Sequence, residues 1–211
     1  MTTVRRRSYA LGRMSSLRGG AADFREAIEA IADNVRALGA IAPEPLEKAA
    51  RLLVTALRDG GKVLAFGNGG SACDALHIEA ELVNRFRHDR PGLPALALTL
   101  GAPTLTSIAN DSSFDSVFER GVETLGRKGD VAIAISTSGK SRNVLRGVEA
   151  ARRMGLRTIA LTGRSGGPLA ALADVVLCAP TDDVPRVQEC HLVLLHLLCE
   201  TAESAIHPKP R

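Results

Sequence analysis

Phe66-Gly67-Asn68-Gly69-Gly70-Ser71-Ala72-Cys73-Asp74-Ala75-Leu76-His77-Ile78-Glu79-Ala80-Glu81-Leu82 decides how this chain folds. The apolar run from Lys62 to Phe66 leads into it and reads as a strand. A glycine-rich turn follows, then helical spacing from Ala72 to Phe86. Strand, tight loop and helix in that order open a βαβ unit.

The same alternation continues downstream. Leu93 to Leu98 reads as a strand after Arg90-Pro91-Gly92. Residues Ala102 to Leu125 are mainly helical, with a break near Asn110-Asp111. Asp130 to Ile135 is apolar without alternation, as a strand buried on both faces must be. Ser136-Thr137-Ser138-Gly139-Lys140-Ser141 forms a loop before a helix that ends at Met154, with Gly155 as its cap. Arg157 to Leu161 and Val175 to Cys178 are further strands, joined by a turn through Gly163, Gly166 and Gly167. A helix from Pro185 to Ile206 closes the pattern. Upstream, Phe24, Ile28, Ile31, Val35 and Leu38 mark an amphipathic helix, and Pro45 to Asp59 a second. The prediction is an α/β fold: a five-stranded parallel sheet flanked by helices, with extra helices at its N-terminal side. Residues 22–211 form one domain in this reading.

Composition narrows the function. Aromatic residues make up only 3% of the 211 positions, and there is no Trp, so base-stacking platforms are not expected. The net charge is +4, but Arg5, Arg6, Arg7, Arg13 and Arg18 supply five positive charges before the first acid, Asp23. Without those five the charge falls to −1, and the folded part does not read as a nucleic-acid binder. Residues 1–21 read as a disordered, arginine-rich tail without the apolar core of a secretory signal. No apolar run reaches the length of a membrane span. Cys73, Cys178, Cys190 and Cys199 form no CxxC pair, and such scattered thiols suit a reducing cytoplasm.

Ligands of parallel sheets bind at the carboxyl ends of the strands. Two loops fall there. Asn68-Gly69-Gly70-Ser71 permits close backbone approach, and Ser71 with Asp74 has the spacing of a capping box. Ser136 to Ser141 offers four hydroxyls before a helix start, a natural anion site. Neither loop has the Walker A or dinucleotide spacing, so a single phosphate on a small molecule is expected, with no nucleotide cofactor. His77 and Glu81 lie one turn apart, with Asp74 and Arg85 continuing the stripe. They can share a metal or a substrate proton, or simply bond each other on a solvated face. Gln188, His191 and His196 interrupt an otherwise apolar final helix, and polar groups there need partners.

Taken together these motifs are recognisable. F-G-N-G-G-S-A-C-D-A-x-H-x-x-x-E-L at Phe66 to Leu82 resembles the sedoheptulose 7-phosphate (phosphoheptose) isomerase family of SIS domains. So do Asn110-Asp111, Gly129-Asp130-Val131 with I-S-T-S-G-x-S at Ile135 to Ser141, Leu161-Thr162-Gly163, and R-x-Q-E-x-H-x-x-x-x-H at Arg186 to His196. The resemblance spans about residues 22 to 206. It implies an SIS fold with flavodoxin-like strand order and a homotetramer with active sites at subunit interfaces. It implies a small phosphosugar substrate and one zinc ion per subunit, held at His77, Glu81, Gln188 and His196. It assigns substrate contacts to Asn68, Gly69, Gly70, Ser71, Asn110, Asp111, Ser136, Thr137, Ser138, Ser141 and Gln188, and the acid/base pair to Glu81 and His196. The implied reaction interconverts sedoheptulose 7-phosphate and glycero-manno-heptose 7-phosphate.

Two points stand out against that pattern. Gln188 and His196 are eight residues apart, roughly 12 Å along a helix, too far for one ion on one helix. The metal site therefore either draws on two chains or releases one of these ligands. Relatives also carry Asp three residues before the Gln, where this chain has Pro185; Asp182 or Asp183 is the candidate substitute. The alternative readings are a non-catalytic SIS adaptor for a replication initiator, an isomerase of another phosphosugar and a sugar-phosphate-sensing regulator. Adaptors tend to lack the counterparts of Glu81 and His196, both present here.

Overall fold

The computed structural model describes residues 21–99 and 101–208. The arginine-rich stretch therefore lies outside the described residues, except Ala21, which begins the first helix.

One sheet of five strands forms the centre: β1 (Val63–Gly67), β2 (Ala95–Ala97), β3 (Val131–Ser136), β4 (Arg157–Thr162) and β5 (Val175–Cys178). Their spatial order is β2-β1-β3-β4-β5, and every neighbouring pair is parallel. This is the expected flavodoxin-like order. It places the topological switch between β1 and β3, so the loops after these two strands open into the crevice where such sheets bind ligands.

Among the described residues, eight α-helices surround the sheet: α1 (Ala21–Ile41), α2 (Pro43–Arg58), α3 (Gly70–Val83), α4 (Ala102–Asp111), α5 (Val117–Leu125), α6 (Arg142–Arg153), α7 (Gly167–Leu172) and α8 (Val184–Ile206). A single 3-10 turn, Phe114–Ser116, marks the break expected after Asn110-Asp111. β1 and β3 are buried along their whole length. Their side chains alternate between two cores, as the pleat requires. Val63, Ala65, Ile133 and Ile135 face α2, α3 and α8. Leu64, Phe66, Ala132 and Ala134 face α5 and α6.

Two local expectations shift. The segment through Gly163, Gly166 and Gly167 is not only a turn: α7 starts at Gly167, because Pro168 suits a first helical turn and Leu-Ala-Ala-Leu propagates it. β2 is shorter than the run from Leu93 to Leu98, since it pairs on one side only. The apolar stripe of α1 is covered within the chain only toward its C-terminal end, where Leu38 is buried, and Phe24 and Ile28 are 63% and 64% exposed. Among the described residues, no helix is long and apolar enough to cross a membrane.

Candidate active site

α3 leaves the end of β1 and α8 follows β5, and the two helices run side by side in the same direction. Their contacts occur in step: Gln188 lies on Gly70, His196 on His77, and Glu203 on Phe86.

At the middle level three polar side chains converge. His77 Nε2 stands 2.8 Å from His196 Nε2, and Glu81 Oε1 is 3.6 Å from His77 Nε2. The possible ligand atoms of His77, Glu81 and His196 all lie within 4.8 Å of one another. The intrahelical alternative for His77 and Glu81 thus gives way: their separation is beyond a hydrogen bond, and the nearer partner of His77 comes from the other helix. All three side chains are half-buried, open enough to meet a small molecule. Burial, and then His77 alongside, pull the His196 pKa below its ordinary value against the opposing pull of Glu81. A neutral imidazole results at neutral pH. The Phe86 ring packs 5.4 Å from that of His196 and forms one wall. Two imidazoles and one carboxylate with convergent lone pairs are a donor set that suits a catalytic zinc, which keeps a further position for substrate. The residues present therefore fit the implied ion.

The first loop departs from the capping-box expectation. Gly69, not Ser71, is the N-cap of α3, no side chain caps it, and Ser71 is buried one position inside the helix. Asp74 is left half-buried with its Oδ2 lacking a hydrogen-bond partner. Burial pushes its pKa up to about 6, with His77 pulling the other way. Asn68 is engaged elsewhere: its amide pairs reciprocally with that of Asn143, at 2.9 and 2.8 Å. Gly70 lies under Gln188, and a Cβ there would meet Gln188 Cδ at 2.8 Å.

In the second loop, the Ser136 and Ser141 hydroxyls bond each other at 3.1 Å. Ser138 Oγ accepts from the Lys140 N–H at 3.2 Å. Gly139 has φ +62 and packs against the backbone of Gly166 and Gly167, leaving no room for a side chain. Thr137, Ser138 and Lys140 line a cavity of about 310 Å³ with Ser165, Asp182 and Val184. Asp182 accepts a hydrogen bond from the Ser165 N–H at 3.2 Å, whereas Asp183 is the exposed N-cap of α8 and makes no side-chain cap bond. Of the two candidates for the missing Asp, only Asp182 lines this cavity.

Asn110 and Asp111 stand apart from these loops, at the exposed end of α4, which packs mainly on the 3-10 turn and α5. Asn110 Nδ2 donates to Asp111 Oδ1 at 2.8 Å, and Asp111 lines a separate cavity of about 430 Å³ with Glu119, Arg120 and Arg146. His191 is a core histidine: fully buried, its Nε2 meets the Thr162 carbonyl at 3.0 Å, and burial lowers its pKa to about 4. Sequence reasoning passed over Asn143 and Phe86. The signal for Asn143 was a polar residue among the apolar positions that turn α6 toward the sheet.

Comparison with known proteins identifies the family. Residues 23–163 match the family model described as the SIS domain. A phosphoheptose isomerase of Thiobacillus denitrificans is 54% identical over 173 residues, covering 81% of this chain and 87% of that protein. The solved phosphoheptose isomerase of Neisseria gonorrhoeae superposes with a TM-score of 0.78 at 44% identity, over 87% of this chain and 96% of the other. That of Francisella tularensis reaches a TM-score of 0.83 at 35% identity, over 87% and 97%. With motifs, strand order and the His–Glu–His cluster all in place, the chain belongs to the SIS domain family and, within it, to the phosphoheptose isomerases, which are aldose–ketose isomerases.

Proposed function

We propose that this protein interconverts D-sedoheptulose 7-phosphate and D-glycero-D-manno-heptose 7-phosphate through an enediol(ate). The observation that carries the reading is the convergence of His77, Glu81 and His196 from α3 and α8, within 4.8 Å, on helices rising from the ligand-binding edge of the sheet. The names of the similar proteins supply the substrate class.

The residue chemistry supports each step. Ketose–aldose exchange removes a proton from C1, returns one to C2 and shifts a proton between the two oxygens. The Glu81 carboxylate, half-buried at the cluster, takes the C1 proton and hands it to C2. His196, neutral through burial, gives a proton to the carbonyl oxygen and recovers one from the neighbouring hydroxyl. Zinc, when bound by His77, Glu81 and His196, supplies Lewis acidity toward the carbonyl oxygen. Gln188 sits at the Gly70 level, so within one chain it serves the substrate; as a ligand it would serve a neighbouring subunit's cluster. The phosphate is held by Ser71, Ser136, Thr137, Ser138 and Ser141 with the backbone at the N-termini of α3 and α6. Asn68, Gly69, Gly70, Asn110 and Asp111 complete the substrate set that the resemblance implies.

The uncovered apolar residues of α1, α3 and α8, among them Phe24, Ile28, Leu76, Val83 and Leu197, support a homotetramer whose subunit contacts border the sites. Four free cysteines support a cytoplasmic setting. The test is incubation of the purified protein with sedoheptulose 7-phosphate, following aldose formation with and without a chelator. Turnover that zinc restores after chelation is expected. No turnover of any ketose phosphate with zinc present would overturn the reading.

A further inference from the structure

Beyond the cluster, the same two helices bury a second set of charges. Glu203 on α8 and the side chain of Arg90 are 1% and 2% exposed, and Arg90 Nε donates to Glu203 Oε1 at 3.0 Å. The rest of the guanidinium is used on backbone carbonyls, those of Pro91 and Asn84 and two on α3. Its Nη2 donates to the Glu81 carbonyl at 2.9 Å and its Nη1 to the Leu82 carbonyl at 2.7 Å. These are last-turn carbonyls that an α-helix cannot satisfy itself. Glu203 in turn accepts from the backbone N–H of Phe86 at 2.9 Å and of Arg87 at 2.7 Å, with His88 Nδ1 at 3.3 Å.

A buried ion pair is a poor source of net stability, because desolvation offsets its attraction. Its geometry is more informative. Arg90 grips the backbone of Glu81, and Glu203 grips the backbone of Phe86, whose ring packs against His196. One pair thus fixes both halves of the proposed acid/base couple, from a point two helical turns beyond His196. We propose that Arg90 and Glu203 are positioning residues that set the approach of Glu81 to His196; the proposal rests on the isomerase reading above. The phosphate loops lie at the opposite end of α3, about 16 Å away from Glu81 along the helix, so the pair acts on turnover and not on phosphate capture.

The experiment compares Arg90→Lys and Glu203→Gln with Asp130→Asn. Asp130 is equally buried and bonds Lys62 Nζ at 2.6 Å, but its hydrogen bonds go to Lys62 and Arg127 and not to α3 or α8. All are assayed for ketose–aldose conversion at a temperature where circular dichroism reports folded protein. Misplacement of a reacting group by about 1 Å costs about 10²-fold in rate. Arg90→Lys and Glu203→Gln are expected to lose kcat on that scale while KM for the phosphosugar stays within about threefold. The double variant is expected to be no slower than the worse single one, because both act through one unit. Asp130→Asn is expected to lose melting temperature but keep kcat. Wild-type kcat in the folded Arg90 and Glu203 variants, or equal kcat loss in all three, would overturn the proposal. Should either variant fail to fold, Phe86→Leu decides it: kcat must fall with KM held, and unchanged kcat sinks it. Absence of wild-type turnover would instead sink the isomerase reading itself.

Discussion

Asn68 and Asn143 exchange both side-chain amide hydrogen bonds, each Nδ2 donating to the other's Oδ1. The pair ties the loop after β1 to the first turn of α6, so the two loops of the proposed phosphate cradle move as one. Asn143 is 3% exposed, and its Oδ1 also accepts from the Val144 N–H. Its removal leaves Asn68 unpaired beside the proposed phosphate cradle. Asn143→Ala is expected to raise KM for the phosphosugar by about tenfold, and to add little in an Asn68→Ala background. A double-mutant cycle in KM checks this; additive effects would show that Asn143 acts independently of Asn68.

Gly70 and Gln188 are fitted to each other. A methyl group at position 70 would overlap the Gln188 amide. Because these are the far atoms of a flexible side chain, Gly70→Ala is expected to push Gln188 aside at little cost to the melting temperature and to lower kcat/KM. Gln188→Ala added to Gly70→Ala should leave the melting temperature near that of Gly70→Ala and not restore the activity. Thermal melts and steady-state kinetics on the three variants separate these effects.

The cluster also forecasts how metal and subunits behave. Because His77, Glu81 and His196 meet within one chain, co-assembled Glu81→Ala and His196→Ala subunits should not complement each other. Recovery of activity in the mixture would require a shared site. His77→Ala should bind zinc at least tenfold more weakly, measured by competition with a colorimetric chelator.

His191 makes stability depend on pH. Its pKa is about 4 in the fold against an ordinary 6.5, so the unfolded chain binds its proton first as pH falls. The neutral, buried form is fully stabilising above pH 6.5, and that contribution is lost progressively down to about pH 4. A shift of this size corresponds to roughly 3 kcal/mol. Asp74, raised to about 6, acts in the opposite sense over an overlapping range, so its effect must be subtracted. Urea denaturation of wild type and His191→Gln from pH 7 to 4 should show a steeper loss in the wild type.

The sheet was legible because both centre strands are uniformly apolar, and uniform burial leaves no other reading. The glycine loops and the His77–Glu81 spacing were legible because helix geometry alone puts those two residues on one face. The partnership of His77 with His196 was not, since residues 119 positions apart meet only through the packing of α3 on α8. Arg90 and Glu203 escaped for a similar reason. Arg90 sits in what reads as a loop before Pro91, and Glu203 continues the buried stripe through Leu195, Leu198, Cys199 and Ala202 as though it were apolar. Ser71 misled: its spacing to Asp74 is that of a capping box, but Gly69 takes the cap position and moves the hydroxyl inside the helix.

Because α3 and α8 advance together, the molecule carries a ruler. Seven residues separate Gly70, at the anion loop, from His77, at the reacting centre, a rise of about 10 Å. On the proposed function, a ligand moored by its phosphate would have to span that interval before its carbonyl end came within reach of Glu81 and His196. Sugars with too few carbons would dock and still be left short, so the axial spacing of one helix would select chain length with no contact dedicated to counting carbons.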